Sequence, residues 1–360
     1  MGSGYSRRSH GASMHQNRSF GRRAFLRAGA GASLALAAGA CSQRVGDGRS
    51  VIYASGFSLP KSVDEALWLE FEQRVEQQRR DFDVRLLIRG ETGPEEQMLS
   101  MLRRGRLQVA GGSFAGLAIL VPEIALLSSP FLFDTEAEVD FVMDRYMTPL
   151  FRELFAAKGL HLMQWTDIGW VNLYGQRSLT LPSELRGRRI RASSSLASQA
   201  FIAEVGADTI TLPFSEVVPS LQTGLIEGGV TSVTMYTLSG ISTEAPHFVL
   251  TQHSYDMGVM LANGAWFASL DAEAQRVVEN GFGGSAHARR RARASVAALE
   301  VVLPSKGVTV YRPNAEQRAA WREAAWPSHR RLVERIGGDA QRVYDSLTSG
   351  LAEFRSAQPA

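Results

Sequence analysis

Between residues 50 and 110 the chain alternates short β-prone apolar runs with stretches whose apolar positions return every four residues. Val51-Ile52-Tyr53-Ala54 predicts a strand. After Pro60, Val63, Leu67, Phe71 and Val75 fall on one helical face. Phe82-Asp83-Val84-Arg85-Leu86-Leu87-Ile88 predicts a second strand, Pro94 to Arg104 a second helix closed by Gly105, and Leu107-Gln108-Val109-Ala110 a third strand. Strands joined by helices pair in parallel, because a helix is the usual crossover.

The pattern returns after the middle of the chain. Strands are predicted near His161–Gln164, Val171–Tyr174, Arg188–Ala192 and Thr209–Leu212, with a helix through Ala197–Val205. After Phe214 the next helix starts late or kinks at Pro219, which has no amide hydrogen, and stops at Gly224. Asp271 to Leu299 predicts one long helix, weakest at Gly281, Gly283 and Gly284, and long enough to cross between domains. Asn314 to Phe354 reads as helical, with Trp321 and Trp326 as packing anchors. A length of 360 residues, 44% of them apolar, suits two cores better than one.

The first forty residues stand apart. They hold six arginines and no acid, then a 13-residue run of alanine, glycine, serine and leucine from Ala28 to Ala40 that ends at Cys41. This is the order of an export signal, and the run is shorter than the roughly 20 residues that span a bilayer. Arg22-Arg23 before an aromatic fits the twin-arginine route. Ala38-Gly39-Ala40-Cys41 fits a lipoprotein box in which the thiol of Cys41 is acylated; Cys41 is the single cysteine, so no intrachain disulfide can form. Residues 41–50 are small and polar and suit a tether.

The signal also explains the charge. Six of the 39 basic residues precede Cys41, which leaves 33 against 36 acidic residues, a net charge of −3 after it. Nucleic acid is not an expected partner, since that needs a clustered basic face. The dense run Arg289-Arg290-Arg291 with Arg293 is expected to be a solvated helix face.

Few residues suggest covalent chemistry. Gly111-Gly112-Ser113-Phe114-Ala115 is one glycine short of a nucleophile elbow, and His161, His247, His253 and His287 are available as bases, so an exported hydrolase is a remote alternative. His247 and His253 are six apart, which suits no common zinc spacing, and no phosphate-loop or dinucleotide fingerprint follows a strand. No metal or cofactor is expected. Arg191, at the end of a short β run, can offer a planar fork of donors to a carboxylate.

The stretch from Pro182 to Gly229 resembles the solute-binding subunits of tripartite ATP-independent periplasmic (TRAP) transporters. The resemblance rests on Pro182 through Arg191, then Gly206-Ala207-Asp208, Pro213-Phe214-Ser215-Glu216-Val217 and Leu221-Gln222-Thr223-Gly224-Leu225-Ile226-Glu227-Gly228, in that order. Gly93 to Leu99, Gly105, Val121-Pro122-Glu123, Pro130-Phe131 and Val249 to Gln275 extend it over about residues 51–300.

It implies an α/β fold: a two-domain periplasmic-binding-protein clamshell with mixed sheets and a long interdomain helix. The domains would be residues 51–174 with 257–285, and 175–256 with 286–360. It further implies a periplasmic protein that captures a small carboxylate and delivers it to the membrane subunits of a TRAP transporter, without catalysis. A ligand sensor reporting to a membrane partner is the alternative. The ligand-binding residues so implied are Arg191, with Phe214 beside it; Trp170, Ser113, Thr231 and Tyr236 complete the expected site. Some members carry a second arginine where Val171 stands, and a glutamate and asparagine after Gly228 where Val230 and Thr231 stand. Trp170, Tyr174 and Tyr236 would make the pocket more apolar, although each aromatic suits a core equally well.

Overall fold

The computed structural model describes residues 48–358. Their nine strands form one mixed sheet in the order β2-β1-β3-β8-β4-β7-β5-β6, with β9 beside β8. At one edge, β1 (Ser50–Ser55) lies parallel to β2 (Phe82–Leu87) and β3 (Val109–Ser113), and the helices Val63–Gln78 and Glu95–Arg103 are the crossovers. At the other, β5 (Arg189–Ala192) lies parallel to β6 (Asp208–Thr211) and β7 (Gly228–Ser232), through the helices Leu196–Glu204 and Val217–Gln222. The crossovers bury the apolar stripe that the spacing predicted: Leu67, Phe71 and Val75 are all within 1% of full burial.

Two long antiparallel strands join these halves. β4 (Leu160–Gly175) and β8 (His247–Asn263) pair along their length, β8 also pairs with β3, and β4 with β7. β9 (Thr309–Tyr311) adds to β8. The two separate strands expected near His161 and Val171 are therefore one. Register shifts at Leu162/Gln164, Asp167/Gly169 and Val171/Leu173 interrupt it, with Gly169 at φ 101°. These bulges break the period-2 alternation, which is why the sequence read as two pieces.

The expected helix over Asp271–Leu299 is two, Ala272–Glu279 and Ser285–Val302. Gly283 and Gly284 take φ of 78° and 80°, and a side chain at Gly281 would lie 2.5 Å from the Phe71 ring. Helix Ser285–Val302 packs on β4 and touches both the helix Val63–Gln78 and the helix Val233–Leu238.

Arg290 is exposed as expected, but Arg289 and Arg293 depart from the expected solvated face. Arg289 is 4% exposed and makes a two-pronged bond to Asp144 (2.7 and 2.8 Å). Arg293 does the same to Asp140 (2.9 and 2.7 Å) and reaches the buried Asp167 (2.8 Å), which also accepts from the Tyr255 hydroxyl (2.6 Å). Paired carboxylates are what make burial of these cations tolerable.

Of the two expected anchors, only Trp321 is core: it is fully buried and donates its indole N–H to the Thr180 carbonyl (2.8 Å). Trp326 is 49% exposed and stacks on His329. The last helix, Ala340–Ser356, packs on Glu136–Val142 and Pro122–Ser128.

Trp321→Ala is expected to cost about 3–5 kcal/mol in a urea unfolding titration. Trp321→Phe should cost less, since it keeps most of the packing and loses only the donor to Thr180.

Candidate functional site

A cavity of about 1020 Å³ opens between the two edges of the sheet. Its walls come from the starts of the helices Val63–Gln78 and Glu95–Arg103, from β3, from β5, from the turn Thr211–Ser215, from β7 and from β8. Loop-borne and strand-end residues thus converge on one space, as in most ligand sites.

Arg191 is the third residue of β5 and is 6% exposed. Its Nε–H and one Nη2–H both donate to the Leu212 carbonyl (3.2 and 3.0 Å). Among the described residues no carboxylate stands within ion-pair distance of it. Burial pulls its pKa below the ordinary value, with the Tyr174 hydroxyl acting the other way. The neighbourhood is tight: a side chain at Gly229 would lie 2.3 Å from the Tyr174 hydroxyl and 3.0 Å from Arg191 Cβ. The Tyr174 hydroxyl is buried without a hydrogen-bond partner among the described residues, and burial raises its pKa, so it stays neutral.

The structure brings Phe214, Ser113 and Thr231 to the same cavity, along with Val171 and Val230. Phe214 opens the turn after Pro213, and Thr231 lies on β7. Ser113 ends β3 and caps the next short helix by accepting the Gly116 N–H (3.1 Å). Its amide (2.7 Å) and hydroxyl (2.8 Å) both donate to Glu95.

Two expected residues fall elsewhere. Tyr236 is fully buried, stacks on Phe248 and donates to the Ala245 carbonyl (2.7 Å), because its helix turns it into the core. Trp170 stands edge-on to Tyr255 (4.9 Å) beside Asp167 and Arg293, outside the cavity wall. Cys41, Arg22 and Arg23 lie outside the described residues.

The wall residues that were not expected include Asp64, Trp68, Glu95 and Asp256. Asp64 and Trp68 are four apart on one helix and so share a face, a spacing readable in the sequence. Burial pushes the Asp64 carboxyl up to about 6. It also raises Glu95 against the Ser113 hydrogen bonds, and Asp256 against the Ser128 hydroxyl (2.7 Å). None of the three carboxylates has an ion-pair partner among the described residues.

The histidines are each engaged away from Ser113. His161 bonds Glu279, His247 Tyr311, His287 Glu70, and His253 Thr251 (2.8 Å). No Ser–His pair is assembled among the described residues, and no group of three or more metal-ligating side chains is found there. No helix among them is long and apolar enough to cross a membrane.

His253 lines the cavity and stacks on Phe201 (centroids 3.9 Å apart). Burial, helped by the Arg318 charge, depresses its pKa to about 3. A free imidazole titrates near 6.5, so from about pH 6.5 down to 3 the unfolded chain takes a proton that the folded one refuses, and stability falls with pH. His253→Gln should flatten the stability–pH slope in that window by up to about 1.4 kcal/mol per unit, read from denaturant titrations between pH 4 and 7.

Residues 59–336 match the family described as bacterial extracellular solute-binding protein, family 7. The chain is 24% identical over 284 residues to the ectoine-binding periplasmic protein TeaA of Halomonas elongata, covering 77% of this chain and 83% of that one. It is 25% identical over 270 residues to the C4-dicarboxylate-binding periplasmic protein DctP of Rhodobacter capsulatus, covering 74% and 81%. The fold superposes on the sugar acid binding protein DctPAm of Advenella mimigardefordensis in complex with galactonate, with a TM-score of 0.77 and 24% identity over 84% of this chain and 99% of that one.

Proposed function

Because the chain belongs to the bacterial extracellular solute-binding protein family 7, we propose that it captures a small organic acid in the 1020 Å³ cavity and hands it to the membrane subunits of a TRAP-type transporter. The observation that carries this is Arg191, a buried cation on the cavity wall with no carboxylate partner among the described residues.

The geometry says how it would bind. A guanidinium has five N–H groups. Leu212 takes the Nε edge, which fixes the plane of the group and leaves Nη1 and Nη2 to present a parallel pair to a carboxylate. Such a pair strengthens as water leaves the site. Phe214 and Val171 would exclude that water, and Thr231 and Ser113 offer hydroxyls to the rest of the solute. Ectoine, C4-dicarboxylates and galactonate, bound by the relatives, all carry a carboxylate.

The reading includes a clamshell. One domain is residues 51–174 with 257–285, the other 175–256 with 286–360, and the final helix returns to pack on the first. β8 passes between them, and approach of the two would commit the ligand. No chemical step is part of this reading: the Ser113 hydroxyl is engaged by Glu95 rather than by a base.

It also includes export by the twin-arginine signal at Arg22-Arg23 and anchoring through lipid on Cys41. Mass spectrometry of detergent-extracted protein should give an acylated amino terminus at Cys41, and a free one there refutes the anchor.

A thermal-shift screen against monocarboxylates, dicarboxylates, 2-oxo acids and sugar acids tests the capture. A ligand at a hundredfold its Kd stabilises the fold by about 2.7 kcal/mol. Arg191→Ala should weaken the tightest hit at least a hundredfold and Arg191→Lys at least tenfold, because an ammonium is a point charge without the fork. Undiminished binding by Arg191→Ala would overturn the assignment.

A further inference from the structure

We infer that the end of the sheet at which the tether joins the fold is a docking face for an anionic phospholipid surface. Five basic residues gather there, and the topology gathers them. The chain enters the sheet at Ser50, whose amide donates to the Asp81 carbonyl (2.8 Å), next to Arg80. Arg103, Arg104 and Arg106 surround Gly105, in the turn that leads from the helix Glu95–Arg103 towards β3. Gln108 ties that turn to β1: its side chain accepts the Tyr53 amide (2.8 Å) and donates to the Gly105 carbonyl (3.1 Å). Asn263, the last residue of β8, donates from its side chain to the Leu102 carbonyl (2.8 Å). The next residue, Gly264, donates to the Gly159 carbonyl (2.9 Å), which brings Lys158 to the same end.

All five are exposed, and none has an ion-pair partner among the described residues. Acids beside them are already matched: Asp81 and Asp271 pair with Arg79, and Glu279 with His161 and Arg152. A basic residue suits a helix C-terminus, but that effect is satisfied one helix at a time. Here three helix ends deliver their cations to one place. The chain from Cys41 onward carries a net charge of −3, so the positive charge belongs to this face and not to the protein at large.

The tether identifies the occupant. On the reading that Cys41 carries lipid, on which this inference rests, the nine steps from Cys41 to Ser50 span at most about 32 Å. That makes this the end of the sheet held closest to the bilayer. Basic side chains within a Debye length of anionic headgroups, about 8 Å at physiological salt, each raise binding about fivefold. Lipid alone would hold the protein near the membrane in any orientation, and the basic face selects one. β3 runs from this face to Ser113 on the cavity wall, while β7 pairs with the far end of β4 and β5 pairs with β7. Contact at the basic face therefore leaves the cavity, and the half that carries Arg191, clear of the headgroups.

Vesicle sedimentation tests this on the chain from residue 41 bearing Cys41→Ser, which holds every described element and no lipid. At about 0.1 M salt it should bind phosphatidylcholine vesicles with about a third phosphatidylglycerol at least tenfold better than pure phosphatidylcholine, and about 0.5 M salt should remove the difference. Changing Arg80, Arg103, Arg104, Arg106 and Lys158 together to glutamine should cut that binding at least tenfold. Changing Arg177, Arg186, Arg290, Lys306 and Arg335, exposed residues elsewhere, removes the same charge and should alter it less than threefold. Circular dichroism melts confirm that both variants fold. Equal binding to the two vesicle types, or equal loss in the two variants, overturns the docking face. An acylated Cys41 with no vesicle preference leaves the anchor standing without the face, and a free Cys41 with the preference intact leaves the face without the anchor.

Discussion

The architecture depends on the pairing of β4 with β8. Each parallel edge of the sheet holds only short strands, β5 and β6 having four residues apiece, and each is stitched to its neighbours by helices on its own side. What makes one molecule of them is a single antiparallel ladder that carries β3 on one flank and β7 on the other. The cavity exists because both edges hang from this ladder. Its walls are the helix starts and strand ends that face one another across it.

Against that frame the site is a problem in charge. A guanidinium that is 94% buried, with only a carbonyl for company, is held at a cost in desolvation that the ligand would offset. The same protein shows the contrasting solution elsewhere, where Arg289 and Arg293 form two-pronged bonds to aspartates. Pairing holds elements together. Arg191 has no such partner among the described residues, and under the proposed function that place is the ligand's.

The sequence carried local information well. The helices Val63–Gln78, Glu95–Arg103 and Leu196–Glu204 and the strands that flank them followed from periodicity and from glycine stops such as Gly105, because those signals act over a few residues. Arg191 and Phe214 stood out through ordered blocks rather than through any pattern of their own, and both line the cavity. Features set by distant partners were not visible. β8 mixes apolar residues with His253 and Ser254, whose burial depends on β4 and the helix Leu196–Glu204. The pairing of Arg289 with Asp144 spans 145 positions, and the convergence of Asp64, Glu95 and Asp256 spans more than half the chain. Tyr236 turned into the core and Trp326 out of it relative to expectation, since one helix turn decides which way an aromatic points.

The bulges in β4 bear on how such a chain can vary in length. Side chains alternate across a strand, so losing or gaining one residue sends everything beyond it to the opposite face. In β4 that would turn Val171 away from the cavity. It would also displace Asn172, whose side-chain Oδ1 accepts the Gln252 amide (3.0 Å) where β8 takes a φ of 45°. The first two register shifts each put one extra β4 residue against β8, and the third puts the extra residues on β8. Natural deletions and insertions should gather in the surface turns, and the two long strands should keep their count to the residue.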